Sequence, residues 1–169
     1  MGISDGRVVI VTGAGRGLGK AHALAFAAEG ARVIVNDLGL GREGQVSEPG
    51  PTPAQAVVSE IEAMGGEAIV DSSDVADWEQ AEALIARAVD QWGRLDTLVC
   101  NAGFLRDRML ANMSEEEWDS VIRVHLKGHF APTRHAISYW RDRSKAGEEV
   151  AGRVVLTSSG AGLMGSVGQ

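Results

Sequence analysis

The sequence contains a single cysteine, Cys100, which excludes an intrachain disulfide and a cysteine-rich metal site. It also lacks any run that approaches ~18 consecutive apolar residues, the length that a membrane-spanning helix needs. The amino-terminal residues show no basic segment followed by a long apolar stretch, so no export signal is predicted. We therefore expect a cytoplasmic protein with no membrane partner.

Positive charge is also scarce, because 16 Lys and Arg stand against 23 Asp and Glu and give a net charge of −7. This balance opposes non-specific binding to nucleic acid, so no nucleic-acid partner is expected. The four histidines show no spacing with carboxylates that is typical of a metal site, and no metal is predicted. A length of 169 residues fits one domain with a substantial core, which we predict to span residues 1–169.

What the sequence does contain is an alternation of short β-branched runs with longer segments at helical spacing. This alternation predicts an α/β fold, a Rossmann-like doubly wound parallel sheet with helices on both faces. The runs are almost continuously apolar, as expected for strands that are covered on both sides. Five strands of a larger sheet are predicted, at residues 7–12, 31–37, 67–71, 96–100 and 153–158.

Capping residues and apolar spacing predict four helices between these strands. The first spans residues 17–29, the second residues 53–64, and the third begins after Asp77. The fourth begins at the capping box of Ser114 and Glu117, and we predict a kink in it at Pro132. One face of the first helix is predicted to pack on the sheet: Leu18, Ala21, Ala25 and Ala28. The segment 39–53 is rich in Gly and Pro and is predicted to be a mobile loop.

A glycine-rich loop, "TGAGRGLG", follows the first strand and opens the first helix. Glycines allow a tight turn there and let a pyrophosphate approach the backbone and the helix N-terminus. Asp37 ends the second strand, where a dinucleotide-binding fold places the carboxylate that binds the adenosine ribose hydroxyls. A carboxylate there would repel a 2′-phosphate, so Asp37 favours NAD over NADP. Arg16 in the loop is either a residue that could meet a 2′-phosphate or a solvated surface arginine, and Asp37 is given more weight.

Three motifs at successive strand ends resemble those of the classical short-chain dehydrogenase/reductase family. The glycine motif is matched at Thr12, Gly13, Gly17 and Gly19, and the two later motifs at Asp74-Val75 and Asn101-Ala102-Gly103. The resemblance implies that Asp74 contacts the adenine end of the cofactor and that Asn101 supports the sheet beside it. The predicted cofactor-binding residues are Thr12, Gly13, Gly15, Arg16, Gly17, Leu18, Gly19, Asp37, Asp74, Val75, Asn101, Ala102 and Gly103.

A narrower resemblance, to the hydroxyacyl-CoA dehydrogenase part of peroxisomal multifunctional enzymes and their bacterial relatives, comes from "VNDLG", "NAGFLRDRML" and "RVHLKGHF". It implies an alcohol, ketone or acyl thioester substrate and a homodimeric or homotetrameric full-length protein. The "RDR" segment is also similar to that of 3-oxoacyl carrier-protein reductases. Arg106 and Arg108 are either steering groups for an anionic CoA or solvated surface residues.

The family resemblance also implies the catalytic residues. A serine after the fifth strand polarises the substrate carbonyl, and Ser159 is predicted to hold this role. A tyrosine about thirteen residues later, followed by a lysine, transfers the proton, and these positions fall beyond Gln169. We therefore expect the chain to be part of a longer enzyme. Tyr139, with Arg143 four residues on, is interpreted as structural, and His125 stands where the family has an asparagine that holds a water in the proton relay.

These observations predict an NAD-dependent oxidoreductase that transfers a hydride between a nicotinamide and a secondary alcohol or ketone. Two alternatives stay open at the level of sequence. One is an NADP-dependent 3-oxoacyl reductase, and the other is a dinucleotide-binding module without catalysis.

Overall fold

The computed structural model describes residues 2–40 and 50–169. Within them a parallel sheet has five strands: β1 (Val8–Thr12), β2 (Arg32–Asn36), β3 (Glu67–Asp71), β4 (Thr97–Cys100) and β5 (Arg153–Leu156). The spatial order is β3-β2-β1-β4-β5, so the order of connection reverses between β1 and β4. The predicted doubly wound parallel sheet is confirmed, and no strand end differs from the prediction by more than two residues.

Helices cover both faces of this sheet. They are α1 (Gly17–Ala28), α2 (Pro53–Ala63), α3 (Trp78–Trp92), α4 (Glu115–Ile122), α5 (Gly128–Lys145) and the short α6 (Ala161–Met164). Alternate strand residues face opposite layers because side chains of a strand point to alternate sides. Val9 and Val33 belong to the core beneath α1 and α2, and Ile10 and Ile34 to the core beneath α3 and α5.

The predicted helix starts are confirmed where a side chain supplies the cap. Thr52 and Ser114 each form a capping box, with Gln55 and Glu117 respectively. The side chain of Asp77 accepts a hydrogen bond from the backbone N–H of Gln80. These signals are local in sequence, which is why they could be predicted without the fold.

The predicted inward face of α1 is wrong. Gly19, Ala23 and Ala27 are its buried residues, whereas Leu18 is 67% exposed. The buried residues are four positions apart, at the spacing of one helix face. Because all of them are small, this face gives no strong apolar signal, and the choice between neighbouring faces depends on how the helix docks.

In the structure, the fourth predicted helix consists of three consecutive helical segments. Between α4 and α5 lies a π-helical turn over Arg123–Lys127, which we call the π-turn. Regular α-helix continues through the buried Pro132, so a bend at the proline stays a prediction and the interruption that is seen lies upstream. Gly128 opens α5 where a Cβ would come within 2.9 Å of the Val75 side chain, which explains a glycine at this close approach.

Most of the predicted loop at 39–53 lies outside the described residues, which resume at Gly50, and its last residue, Pro53, is the first of α2. None of the helices in the described ranges is long and apolar enough to cross a membrane. The same ranges contain no cluster of three or more potential metal ligands.

Candidate active site

The glycine loop connects β1 to α1 at the carboxyl end of the sheet, where the strand order reverses. Gly13 and Gly17 have φ values of +61° and +54°, which side-chain-bearing residues rarely adopt. A Cβ at Gly19 would lie 2.1 Å from the carbonyl oxygen of Gly13, so the loop and the helix touch through backbone alone. The residue before α1, Arg16, makes no side-chain hydrogen bond to the first helical turn. The N–H groups of that turn therefore lack the side-chain cap that α2, α3 and α4 have.

Asp37 lies directly after β2 and binds the glycine loop. Its Oδ2 accepts a hydrogen bond of 2.8 Å from the Gly15 N–H, and its Oδ1 accepts one of 2.7 Å from the Gly39 N–H. A Cβ at Gly15 would lie 2.8 Å from the same Oδ2, which requires a glycine there. Each carboxylate oxygen keeps a second lone pair, so the half-buried side chain can accept further donors such as ribose hydroxyls.

The turn after β4 is tied to the end of β1. The Thr12 hydroxyl oxygen accepts hydrogen bonds from the N–H groups of Asn101 and Ala102 at 2.9 and 3.1 Å. The Asn101 amide donates to the carbonyl oxygens of Thr12 and Gly13 at 3.1 and 3.2 Å. Asn101 thus joins β4 to the glycine loop, the supporting position that the family resemblance implies.

A cavity of about 380 Å³ opens beside these elements, a size within the ~300–1,000 Å³ of small-molecule sites. Of the predicted cofactor residues it is lined by Gly13, Asp37, Asp74, Val75, Ala102 and Gly103. Other predicted cofactor residues lie in the glycine loop or the turn after β4 and make hydrogen bonds within the protein: Thr12, Gly15 and Asn101. Arg16 donates from Nη1 to the Leu40 carbonyl oxygen at 3.1 Å. We call this space the β2–β4 cavity because its walls follow the ends of those strands. Leu18 and the helical glycines lie at the start of α1.

Ser159 lies beyond the carboxyl end of β5, on the side of β4 away from the β2–β4 cavity. Its Oγ accepts a hydrogen bond of 3.2 Å from the Ala161 N–H and is exposed. The hydroxyl proton stays available to a ligand oxygen, since accepting a bond does not use it. The geometry is compatible with the predicted role of Ser159, which stays a prediction.

Tyr139 lies at the opposite end of the sheet. It lines a separate cavity together with Leu95 and Asp96, which come just before β4, and Arg143 lies over its ring at 5.6 Å. Ser159 follows the carboxyl end of the neighbouring β5. The full length of the strands therefore separates Tyr139 from Ser159, which supports the interpretation of Tyr139 as structural.

His125 sits in the π-turn and packs against the turn after β4. A Cβ at Gly103 would lie 2.6 Å from Cε1 of its ring, so the glycine lets the imidazole take its position against this turn. Nε2 lies 2.8 Å from the carbonyl oxygen of Phe104. A π-turn inside a helix is often found at a functional site, and here it brings His125 to the turn that carries Asn101.

Sequence reasoning missed His129, one helical turn after His125. Burial lowers the pKa of His129. A hydrogen bond with the Ala102 backbone raises this pKa, and repulsion from His125 lowers it further. Its Nε2 is buried and has no hydrogen-bond partner among the described residues. The four-residue spacing of His125 and His129 was the available signal, because side chains so spaced share one face of a helix.

The two arginines of the "RDR" segment differ in their contacts. Nη2 of Arg108 lies 2.6 Å from Oε1 of Glu117, the residue that also closes the α4 capping box. This ion pair and the bond from the Ser114 N–H lower the pKa of Glu117 to about 2. Arg106 lies over the Phe104 ring at 4.6 Å and lines the β2–β4 cavity. Arg106 therefore lies at the β2–β4 cavity, whereas Arg108 forms an ion pair at the start of α4.

Known proteins are similar to this chain in sequence and in fold. The sequence profile of the short chain dehydrogenase family matches residues 7–169. A hydroxyacyl-CoA dehydrogenase of Mycobacterium tuberculosis is 49% identical over 98% of this chain and 50% of its own length. The peroxisomal multifunctional enzyme type 2 of Mus musculus is 47% identical over 98% of this chain and 21% of its own length.

A crystal structure of a short chain dehydrogenase from Mycobacterium avium superimposes with a TM-score of 0.92 at 66% identity. It covers 99% of this chain, which covers 57% of that one. The chain therefore spans about half, or less, of the length of these relatives. The profile match covers nearly the whole sequence and agrees with the motifs at the ends of β1, β3 and β4, and we conclude that the chain belongs to the short-chain dehydrogenase family.

Proposed function

We propose that the protein is an NAD-dependent oxidoreductase that oxidises a secondary alcohol, with 3-hydroxyacyl thioesters as the substrate class, or reduces the corresponding ketone. One observation carries the proposal. Across the carboxyl edge of the sheet, Asp37 follows β2, the glycine loop follows β1, Asn101 follows β4 and Ser159 follows β5. This spatial order matches the ribose, pyrophosphate and nicotinamide of an extended dinucleotide, followed by the reacting carbon of the substrate.

The residues that would hold the cofactor fit it in chemistry as well as in position. The uncapped first turn of α1 offers N–H groups and a positive dipole end to a pyrophosphate. Asp37 offers acceptor positions to the adenosine ribose hydroxyls, and its charge would oppose a 2′-phosphate. The charge of Asp37 therefore favours NAD over NADP. Arg16 belongs to the glycine loop, and its Nη1 donates to the Leu40 carbonyl oxygen.

The nicotinamide, when bound, supplies the acceptor for a hydride. Oxidation would remove a hydride from the alcohol carbon and a proton from its oxygen, the proton would leave along a path of waters to solvent, and a ketone would result. Ser159 would donate its hydroxyl hydrogen to that oxygen and so orient the carbon toward the cofactor. His125, whose Nε2 lies 2.8 Å from the Phe104 carbonyl oxygen, would hold a water of the proton path through its other ring nitrogen.

The substrate class rests on the names of relatives. Those with a hydroxyacyl-CoA dehydrogenase or peroxisomal multifunctional enzyme name are 44–49% identical to the chain. The alternative of an NADP-dependent 3-oxoacyl reductase rests on a Synechocystis relative named 3-oxoacyl-[acyl-carrier-protein] reductase, which is 43% identical over 96% of this chain. We expect the protein in the cytoplasm.

Self-association is part of the proposal. A stripe of exposed apolar side chains, spaced four residues apart and then seven, runs along α4, the π-turn and α5: Trp118, Ile122, Leu126, Phe130 and Ile137. Such a stripe is typical of an interface between helices. We expect a homodimer or homotetramer, measured by sedimentation velocity on the intact protein, and a monomer at micromolar concentration would contradict this.

The decisive experiment measures binding and turnover in the intact protein. NAD and NADP affinities are determined by titration, and NADH formation is followed with a 3-hydroxyacyl-CoA. Asp37→Asn keeps the shape of the side chain but removes its charge and one acceptor. We expect it to weaken NAD binding on the order of tenfold, the size of one charge-assisted hydrogen bond, and to reduce the preference over NADP. Asp142→Asn, on the exposed surface of α5, is the matched control and should change neither affinity.

Three results would overturn parts of the proposal. Absence of NAD and NADP binding in the wild-type protein would contradict the dinucleotide site itself. NAD binding without oxidation of any 3-hydroxyacyl-CoA or secondary alcohol would favour the non-catalytic module. A wild-type preference for NADP that Asp37→Asn leaves unchanged would favour the 3-oxoacyl reductase.

A further inference from the structure

An ion pair on the wall of the β2–β4 cavity joins two residues that lie 49 positions apart in the chain. Nη2 of Arg123 donates to Oδ2 of Asp74 at 2.6 Å, and both residues line the cavity. Asp74 follows β3, and Arg123 is the first residue of the π-turn. The pair therefore connects the edge of the cavity beyond β2 to the helical segment that carries His125.

Besides the ion pair, Asp74 makes two further hydrogen bonds, one through its carboxylate and one through its backbone N–H. Its Oδ1 accepts a hydrogen bond of 2.9 Å from the Ala76 N–H, and its own N–H donates to Oε1 of Gln80 at 2.9 Å. With Arg123 on Oδ2, each carboxylate oxygen has one partner and keeps capacity for one more donor. A ligand that presents an N–H group to Asp74 thus meets an acceptor that is already positioned.

The β2–β4 cavity is lined by two carboxylates and by two guanidinium groups, those of Arg106 and Arg123. Asp37 and Asp74 both line it, and two carboxylates would repel an anionic dinucleotide. The Arg123 guanidinium offsets one of these charges. It is also planar and can lie against the face of an aromatic base, which a lysine ammonium cannot do in the same way.

We propose that Arg123 is a specificity-determining residue for the adenine end of the cofactor. It forms one wall of the base site and fixes the Asp74 carboxylate so that its remaining lone pairs face the amino group of the base. This inference rests on the proposed dinucleotide-binding function, and it adds a residue of the π-turn to the cofactor site. Binding of adenine would then also help to fix the position of the π-turn, because Arg123 is part of both the adenine site and the π-turn.

The test uses adenosine monophosphate as the probe, since it contains the adenine half of the dinucleotide and requires no turnover. Affinities for AMP and NAD are measured by calorimetry on the intact wild-type protein, Arg123→Met and Arg123→Lys. Arg123→Met keeps the length of the side chain without charge or hydrogen bonds, and we expect it to weaken AMP and NAD by the same factor, on the order of tenfold. Arg123→Lys keeps the charge without the planar group, so its affinities for AMP and NAD should lie between those of the wild type and those of Arg123→Met. Arg141→Met, which removes an arginine paired with Asp142 on the exposed surface of α5, is the control and should bind as the wild type does.

A double-mutant cycle with Asp74→Asn measures how much the contact between Arg123 and Asp74 contributes to AMP affinity, apart from what each side chain contributes alone. Because the two side chains act on the base together, the loss in AMP affinity for the double variant should be smaller than the product of the two single losses. Unchanged AMP affinity in Arg123→Met, or a loss for NAD without a loss for AMP, would overturn the inference while leaving the proposed function intact. A wild-type protein that binds neither ligand would instead overturn the proposed function. The melting temperature of each variant without ligand shows whether that variant is folded. If Arg123→Met does not fold, Arg123→Lys is the test variant.

Discussion

Asn101 is predicted to be the residue that holds the glycine loop to the sheet, and Asn101→Ala tests this. The substitution removes two hydrogen bonds, from Nδ2 to the carbonyl oxygens of Thr12 and Gly13 at 3.1 and 3.2 Å. Net contributions of about 1 kcal/mol for each bond give a loss of about 2 kcal/mol in the free energy of unfolding. That is a large part of the ~5–15 kcal/mol by which domains of this size are stable.

Urea denaturation of the intact protein measures this loss. With a slope of ~1–3 kcal/mol per molar urea, a loss of about 2 kcal/mol lowers the midpoint by roughly 1 M at an unchanged slope. Asn101→Asp should cost more than Asn101→Ala, because it places a carboxylate against two carbonyl oxygens in a part-buried site. Asn112→Ala, at an exposed position, is the control and should stay within ~0.5 kcal/mol of the wild type. A midpoint for Asn101→Ala equal to that of Asn112→Ala, or an Asn101→Asp variant as stable as the wild type, would refute the reasoning.

Three further predictions concern close packing in the same region. Gly19→Ala should abolish NAD binding or folding, because its Cβ would lie 2.1 Å from a backbone oxygen, whereas Gly162→Ala, with open space around it, should leave the melting temperature unchanged or slightly higher. Gly103→Ala should displace the imidazole of His125, which would lie 2.6 Å from the new Cβ. In urea denaturation the double variant with His125→Ala should then lose less stability than the sum of the two single variants, and additive losses would contradict the contact. Burial raises the pKa of the Cys100 thiol to about 11, so alkylation by iodoacetamide at pH 8 should be slow in the folded protein and fast in urea, and fast modification of the folded protein would contradict its burial.

The elements that sequence reasoning predicted well are those whose signals are local. The caps at Thr52, Asp77 and Ser114 each act on residues within one helical turn, so a short stretch of sequence contains both partners. The apolar strands follow from the composition of five to seven consecutive residues, because a strand buried on both faces needs no alternation. The glycine loop and Asp37 were predicted as a site because the fold fixes where strand ends meet.

The errors and omissions share a different cause. The inward face of α1 consists of small residues at Gly19, Ala23 and Ala27, and small residues carry little hydrophobic contrast. The π-turn at Arg123–Lys127 has no proline or glycine within it to mark it, and the proline that drew attention lies inside regular helix. Arg106 and Arg108 were left between two interpretations because their partners, Phe104 and Glu117, act through geometry that sequence spacing does not give.

By itself the sequence determined the α/β class, the strands, most helix ends and the motifs after β1, β3 and β4, since each depends on residues that are neighbours in the chain. Only the tertiary structure decided which side chains share a cavity. Asp74 and Arg123 are joined across 49 residues, and Tyr139 and Ser159 are separated by the length of the sheet although both are polar residues in the same half of the chain. The physical reason is that hydrogen bonds and ion pairs act over a few ångströms in space, and the order and register of the strands set those distances.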